Sequence, residues 1–283
     1  MVDAVITYVD AEDEAWVKSY SDNVGGNFES KRFRSFKVLD LQISLIRKYM
    51  SFVDNIFVVV SAMSQVPSNI MSMKNIHIVL HEEIIPPQFL PCFNSCAIEM
   101  FLHNISGLKE NFLYFNDDFF PVSELNKTDF FNGEHILFDY EYRDYSDSDN
   151  NFCNVVKNTN SLFNTDFTKC IKPYHGAIMC AKKSHIQNLH AKYPEIINEH
   201  TTIMRDDKNY NFYLFMLDEV YNNPNYIKKG YSCGYFETNI HPVRIFASIK
   251  ENGYKTVCIN DNNMRMTFNM YKEELHKALT SLL

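Results

Sequence analysis

No Cys-x-x-Cys pair occurs among the seven cysteines, at 92, 96, 153, 170, 180, 233 and 258, which argues against a zinc site of the common spacing. An odd, scattered set reads as reduced thiols in a cytosolic protein. Also missing are a Gly-x-Gly-x-x-Gly turn, a Walker A loop, a Gly-x-Ser-x-Gly elbow and a His-Glu-x-x-His helix. The common dinucleotide, P-loop, hydrolase and zinc-peptidase readings go with them. The longest aliphatic run, Ile56 to Val60, is far too short to cross a bilayer. The opening MVDAVITYVD already reads as a strand, without the basic and apolar regions of an export signal. The expectation is a soluble cytoplasmic protein, with peripheral contact at the inner face of the plasma membrane left open. Positive charge is the scarcer sign: 27 Lys and Arg against 35 Asp and Glu give a net charge of −8. That disfavours a general nucleic-acid surface and still allows a local basic pocket.

What the chain does contain is apolar and aromatic. Of 283 residues, 46% are hydrophobic, with 23 Phe and 17 Tyr, a globular composition that excludes disorder. Val2 to Val9 reads as a strand ending at Asp10, and a helix carrying Trp16, the only tryptophan, opens at Glu12 to Glu14. Residues 21–30 form a polar loop, and apolar spacing predicts a helix over Phe36 to Tyr49. Asn55 to Ser61 has the unbroken apolar run of a central parallel strand, followed by a short strand at Asn75 to Leu80. Three prolines precede a helix from Ser95 to Asn104, closed by Gly107, and Phe112 to Phe115 is a further strand. This alternation predicts an α/β fold, a mostly parallel sheet flanked by helices. One domain is expected over 1–283, with 139–166 a long polar surface loop and 185–283 mainly helical. Within that tail, Thr256 to Ile259 is a late strand and Met270 to Leu283 an amphipathic helix.

The stretch FLYFNDDFF, Phe112 to Phe120, places two adjacent carboxylates in an apolar run. Unpaired acids out of water cost several kcal/mol or change their pKa, so either the strand ends there or a positive group meets them. In open α/β sheets, ligands bind beyond the carboxyl ends of strands. Three predicted strands end in acids: Asp10, then Asp117 with Asp118, then Asp261. Strand alternation would place Asn116 and Asp118 on one side and Asp117 on the other. Such oxygen ligands suit Mg²⁺ or Mn²⁺ that also touches phosphate; the competing reading is that the acids cap the following turn. Lys31, Arg32, Arg34 and Lys37 form a basic run interleaved with Phe33 and Phe36, either a phosphate-gripping wall or a solvated face. Asn94 or Ser95 is the expected helix N-cap, and that helix start is also a ready anion site. Glu99 and His103, four residues apart, are expected to share a helix face.

Several segments together resemble the Stealth family: Val5-Ile6-Thr7-Tyr8-Val9-Asp10, Arg32-Phe33-Arg34, Leu90 to Glu99, Tyr114 to Asp118, and Cys258-Ile259-Asn260-Asp261. The family comprises capsule-type sugar-phosphate transferases and the catalytic subunit of the lysosomal-enzyme GlcNAc-1-phosphotransferase. The resemblance implies a nucleotide-sugar transferase architecture, GT-A or Rossmann-like. It implies transfer of a hexose-1-phosphate from a nucleotide sugar, a UDP-sugar foremost, to a carbohydrate acceptor, lipid-linked or free. It implies a divalent metal, and the acids that end the strands, Asp117, Asp118 and Asp261, are the ligands expected for Mg²⁺ or Mn²⁺. It maps the family's catalytic polar residues onto Asp3, Asp118, His175 and Arg205, with Asp10, Arg32, Arg34, Asn94 and Ser95 on the donor. His175 is the expected general base, with Asp118 the competing one. Asp3 fits poorly, because it begins its strand. The alternatives are an ordinary metal-dependent glycosyltransferase and a non-catalytic sugar-binding protein.

Overall fold

A computed structural model of the chain describes residues 1–25, 33–262 and 264–283. The strands, in chain order, are β1 Val2–Thr7, β2 Val53–Val60, β3 Ile76–Leu80, β4 Asn111–Asn116, β5 Phe119–Pro121 and β6 Phe131–Asn132. They continue as β7 His135–Ile136, β8 Tyr140–Arg143, β9 Cys170–Pro173, β10 Met179–Lys182, β11 Cys233–Glu237 and β12 Thr256–Asn260. The main sheet has the order β10-β4-β1-β2-β3, with four parallel strands and β10 antiparallel at one edge. Its central strands are buried on both faces, as runs such as Ile56 to Val60 require of a sheet covered by helices. Helix Leu39–Tyr49 packs on β2 and β5, while helix Tyr213–Asn222 packs on β9, β10 and helix Asn151–Ser161. The fold is the expected mixed α/β class and fits a GT-A-like architecture. No helix among the described residues is long and apolar enough to cross a membrane.

The late strand expected at Thr256 to Ile259 is β12, but the second sheet that it forms with β11 and β5 was not legible in a tail expected to be mainly helical. The chain leaves β4 of the first sheet at Asn116 and enters β5 of the second at Phe119. Asp117 and Asp118 are therefore the turn between two sheets, and the alternation expected of a continuing strand does not apply. Residues 139–166 also differ from the expected loop, because they contain β8 and helix Asn151–Ser161. Asn150 caps that helix by accepting from Cys153 N at 3.0 Å, and its buried face is Cys153, Val155, Val156, Thr159 and Asn160. Two of those five are polar and hydrogen-bond internally, so the apolar period is weak to the eye. The helix at Ser95 stops at Met100 and continues as a short 3-10 turn, Leu102–Asn104. Glu99 and His103 therefore do not pair; His103 stacks near His190 at 4.4 Å instead.

Candidate active site

A cavity of about 760 Å³ opens at the carboxyl ends of β1 and β4, lined there by Thr7, Tyr8, Asn116, Asp117 and Asp118. The turn carrying the two acids is clamped from behind. Gln42, fully buried on helix Leu39–Tyr49, donates from Nε2 to both Asn116 O and Phe119 O at 2.7 Å, bracketing the turn. Ile259 N, on β12, donates to Asp118 O at 2.9 Å. The Cys258 thiol donates to Asp118 Oδ2 at 3.3 Å, while Asp118 Oδ1 has no partner among the described residues. Burial pushes the Asp118 carboxyl up to about 6. Burial, then the adjacent Asp118 charge, pushes Asp117 up to about 7. With no cation beside them among the described residues, the two enclosed carboxyls are partly protonated near neutral pH.

A third buried carboxyl lies deeper. Glu99 Oε2 accepts from Phe212 N at 2.6 Å, and Tyr114 OH lies 3.2 Å from Glu99 Oε1 and 2.7 Å from Asn116 Oδ1. Thr7 Oγ1 completes the chain at 3.0 Å from that phenol. Burial raises Glu99 to about 7 against the opposing pull of the Arg205 charge. This network joins the acid end of the cavity to its cationic end. Arg205 Nη2 donates to Ser95 Oγ at 3.0 Å and leans on Cys96 Sγ at 3.6 Å.

His175 lines the same cavity, its ring between Phe152 at 5.1 Å and Tyr235 at 5.0 Å. Burial, then the Lys172 charge, lowers its pKa to about 4, so the imidazole is neutral at physiological pH. Gly176 explains the close approach: its φ is +90°, and a Cβ there would lie 2.2 Å from Gly234 O on β11. The segment holding His175 can press against β11 only with glycine at that position.

The structure thus brings Asn94, Ser95, Asp117, Asp118, His175 and Arg205 to one cavity. It does not bring Asp3, Asp10, Arg34 or Asp261 there. Asp3 is buried at the opposite, amino end of β1, accepting from Asn55 N at 3.1 Å and Lys109 N at 2.9 Å and paired with Lys109 Nζ at 3.3 Å. It ties β1 to the segments entering β2 and β4. Asp3→Ala should therefore lower unfolding free energy by about 3 kcal/mol, leaving unsatisfied buried donors, with kcat per folded molecule unchanged. Denaturant titration beside active-site titration checks this. Asp10 caps its own turn through Glu12 N at 3.0 Å and pairs with Lys37 at 3.3 Å. Arg34 and Asp261 bind each other through two contacts, one at 2.7 Å from Nη2, with the guanidinium 4.5 Å over the Phe268 ring. The arginine expected on the donor and the acid expected on the metal are here paired with each other. Asn94 caps its helix through Cys96 N at 3.1 Å, and its amide reaches Thr202 O and Asn209 Oδ1 at 2.9 Å. Its polar atoms anchor the Arg205 loop rather than a donor. Arg32 lies outside the described residues.

Among the described residues no group of three or more His, Cys, Asp or Glu side chains is placed to hold a metal. The Asp117–Asp118 pair, with an unpartnered buried oxygen and raised pKa values, still fits a hard cation that keeps water and phosphate as its other ligands. Gln42, Phe152 and Tyr235 carry no sequence signal, and Cys258 is legible only as part of the late strand; nothing local marks a glutamine or a thiol whose partner is more than seventy residues away.

Residues 32–138 match the family region described as Stealth protein CR2, conserved region 2. The chain is 35% identical over 144 residues to the capsular polysaccharide phosphotransferase cps1A of Actinobacillus pleuropneumoniae, covering 48% of this chain and 39% of that protein. It is 32% identical over 173 residues to the exopolysaccharide phosphotransferase cps2G of Lactiplantibacillus plantarum, covering 59% and 50%. With the capsular polysaccharide phosphotransferase SacB of Neisseria meningitidis serogroup A, identity is 30% over 210 residues, covering 70% and 38%. The alignments thus span half or less of these relatives' own length. The matched region contains the acid turn, the Asn94–Ser95 helix start and Glu99, and over that region the chain matches the Stealth family.

Proposed function

We propose that this chain transfers a hexose-1-phosphate from a nucleotide sugar to a hydroxyl of a capsular or exopolysaccharide acceptor and releases a nucleoside monophosphate. The observation that carries this is the single cavity in which two enclosed carboxyls, Arg205 and a neutral His175 converge. The names of the relatives support the same chemistry. In the reaction the acceptor oxygen bonds to the phosphorus nearest the sugar. The bond from that phosphorus to the bridging oxygen breaks, and that oxygen leaves with the nucleoside phosphate. Such transfer needs in-line positioning and compensation of charge more than covalent help from the protein.

Arg205, held by Ser95 and by the loop anchored on Asn94, is placed to bind the transferring phosphate. His175, with a neutral ring exposed to the cavity, accepts the acceptor hydroxyl's proton at an imidazole nitrogen. Asp117 and Asp118 would hold a Mg²⁺ or Mn²⁺, which supplies neutralisation of the diphosphate charge when bound. A cation suits the site: among the described lining residues the carboxyl groups of Glu99, Asp117, Asp118 and Glu237 outnumber the one arginine, Arg205, and the donor is itself anionic.

The released nucleotide decides between this reading and an ordinary glycosyltransferase. Incubating the protein with UDP-sugars, Mg²⁺ and carbohydrate acceptors should give UMP by mass spectrometry; UDP as the nucleotide product would overturn phosphoryl transfer. The pH profile assigns the base. A folded-state pKa of about 4 keeps His175 deprotonated down to about pH 5, so with metal saturating at every pH kcat/KM should stay level from pH 8 to about 5, whereas limiting metal should add a fall below about pH 7 as Asp117 and Asp118 take up protons. A fall near pH 7 that saturating metal does not move would instead assign the proton to the Asp117–Asp118 pair.

A further inference from the structure

Exposed aromatic side chains are few, and their placement is not scattered. Among the described residues three are exposed: Tyr142 at 63%, Tyr174 at 38% and Tyr235 at 39%. All three belong to one path that begins at His175. The Tyr235 ring lies 5.0 Å from the His175 ring, and Tyr174 immediately precedes His175 in the chain. Lys228 Nζ sits 6.0 Å from the Tyr174 ring and 4.8 Å from that of Tyr140, and Tyr140 meets Tyr142 edge-on at 5.7 Å. The antiparallel pairing of β8 and β9 fixes this arrangement, setting Tyr140 opposite Pro173 and Tyr142 opposite Ile171, so that both tyrosines share a face. Asp139 steadies the junction, pairing with Lys228 at 2.9 Å and accepting from Tyr174 N at 3.4 Å.

We propose that this tyrosine path binds the acceptor as an extended carbohydrate chain, with its reactive end at His175 and its preceding sugar residues over Tyr174 and Tyr142. The inference rests on reading the cavity as a sugar-phosphate transferase site. A phenol ring left in water presents a flat apolar face with a polar rim. A pyranose has the complementary surface, one face of C–H groups edged by hydroxyls. Exposed apolar surface continuous with a reaction cavity marks a ligand groove rather than a random surface residue. The flanking groups agree: the ion-paired carboxylates of Asp139 and Glu141 keep lone pairs that can accept hydrogen bonds from sugar hydroxyls, and Tyr142, on β8, is too exposed to serve the core. A short acceptor would reach His175 and Tyr235 alone, whereas a chain of several sugars would cover the whole path.

The test uses Tyr142→Ala with Tyr174→Ala in the full chain, two exposed positions whose truncation should leave the fold unchanged. The probes are glucose, N-acetylglucosamine and phosphodiester-linked N-acetylhexosamine oligomers, each from dimer to octamer, titrated by calorimetry and saturation-transfer NMR without donor. In the wild-type protein at least one series should bind about tenfold more tightly as octamer than as dimer, as expected of two added stacking contacts. The double variant should lose that length dependence while the dimer binds equally. Absence of length dependence in wild type for every series, or its persistence in the variant, overturns the proposal. The nucleotide product separates the two readings. UMP release without length-dependent binding leaves phosphoryl transfer standing and removes the path; length-dependent binding with UDP release does the reverse.

Discussion

Replacing Asp118 with asparagine should reduce turnover by about 10²–10³-fold while leaving the fold intact, the loss typical of removing one preorganised electrostatic group. The substitution keeps the shape of a side chain whose carbonyl can still accept from the Cys258 thiol, and it removes a carboxyl whose other oxygen has no partner. Stability should move in the opposite direction to activity. The folded-state pKa values of Asp118 and Asp117, about 6 and about 7, lie above the ordinary carboxylate value. Between about pH 4 and 7 the folded protein therefore retains protons that the unfolded chain has released, so this pair contributes a loss of stability as pH rises through that window. Asp118→Asn should melt no lower than wild type at about pH 8. Mg²⁺ or Mn²⁺ should raise the wild-type Tm by several degrees at that pH, by less near pH 5, and by little in the variant. Differential scanning fluorimetry with metal and with EDTA reads this without any turnover. A metal-independent Tm in wild type, together with near-normal turnover in the variant, would remove both carboxylates from the site.

The parts of this site that the sequence discloses are those whose signal is local. Phe112 to Phe115 followed by two acids shows a strand end, and in an α/β alternation a strand end is where ligands bind. Pro91 to Ser95 shows a helix start, and Asn94 is its cap. What local pattern cannot show is whether a charged residue is already matched from far along the chain. Arg34 and Asp261 each carry the chemistry of a ligand-binding group, and 227 residues separate them; only the fold makes them partners. Asp3 similarly reads as an acid on a strand, yet its position at the amino end of β1 ties it to Asn55 and Lys109. The switch of sheets at Asp117 is the other hidden feature. Parallel strands announce themselves by unbroken apolar runs, whereas β5 is three residues long and β11 is only partly buried. With so little period to read, β5 and β11 stayed out of sight, and with them Tyr235 and the pairing of Cys258 with Asp118.

Arg205→Ala should lower kcat by about 10³-fold, and Arg205→Lys by about 10²-fold, with donor KM changed far less than kcat. Among the described residues lining the cavity Arg205 is the permanent cation, since His175 is neutral and no lysine lines it. Charge builds on the phosphoryl oxygens as the acceptor oxygen approaches and the bridging oxygen departs, so a fixed guanidinium acts on the transition state more than on the bound donor. Lysine keeps the charge but loses the planar fork, which is why the conservative change should still be costly. The side chain belongs to an exposed loop and donates to Ser95 Oγ, so its removal should leave the melting temperature within about a degree or two of wild type. Asn94→Ala is the informative contrast. It removes the helix cap at Cys96 N and the amide contacts to Thr202 and Asn209, so it should lower both stability and kcat, the latter by releasing the loop that presents Arg205. Steady-state kinetics with varied donor, beside thermal melts of all three variants, separates the two roles. If Arg205→Ala kept kcat within threefold of wild type, charge compensation at the phosphate would have to come from elsewhere in the cavity. If Asn94→Ala melted normally and lost activity, its amide would be contacting substrate rather than anchoring the loop.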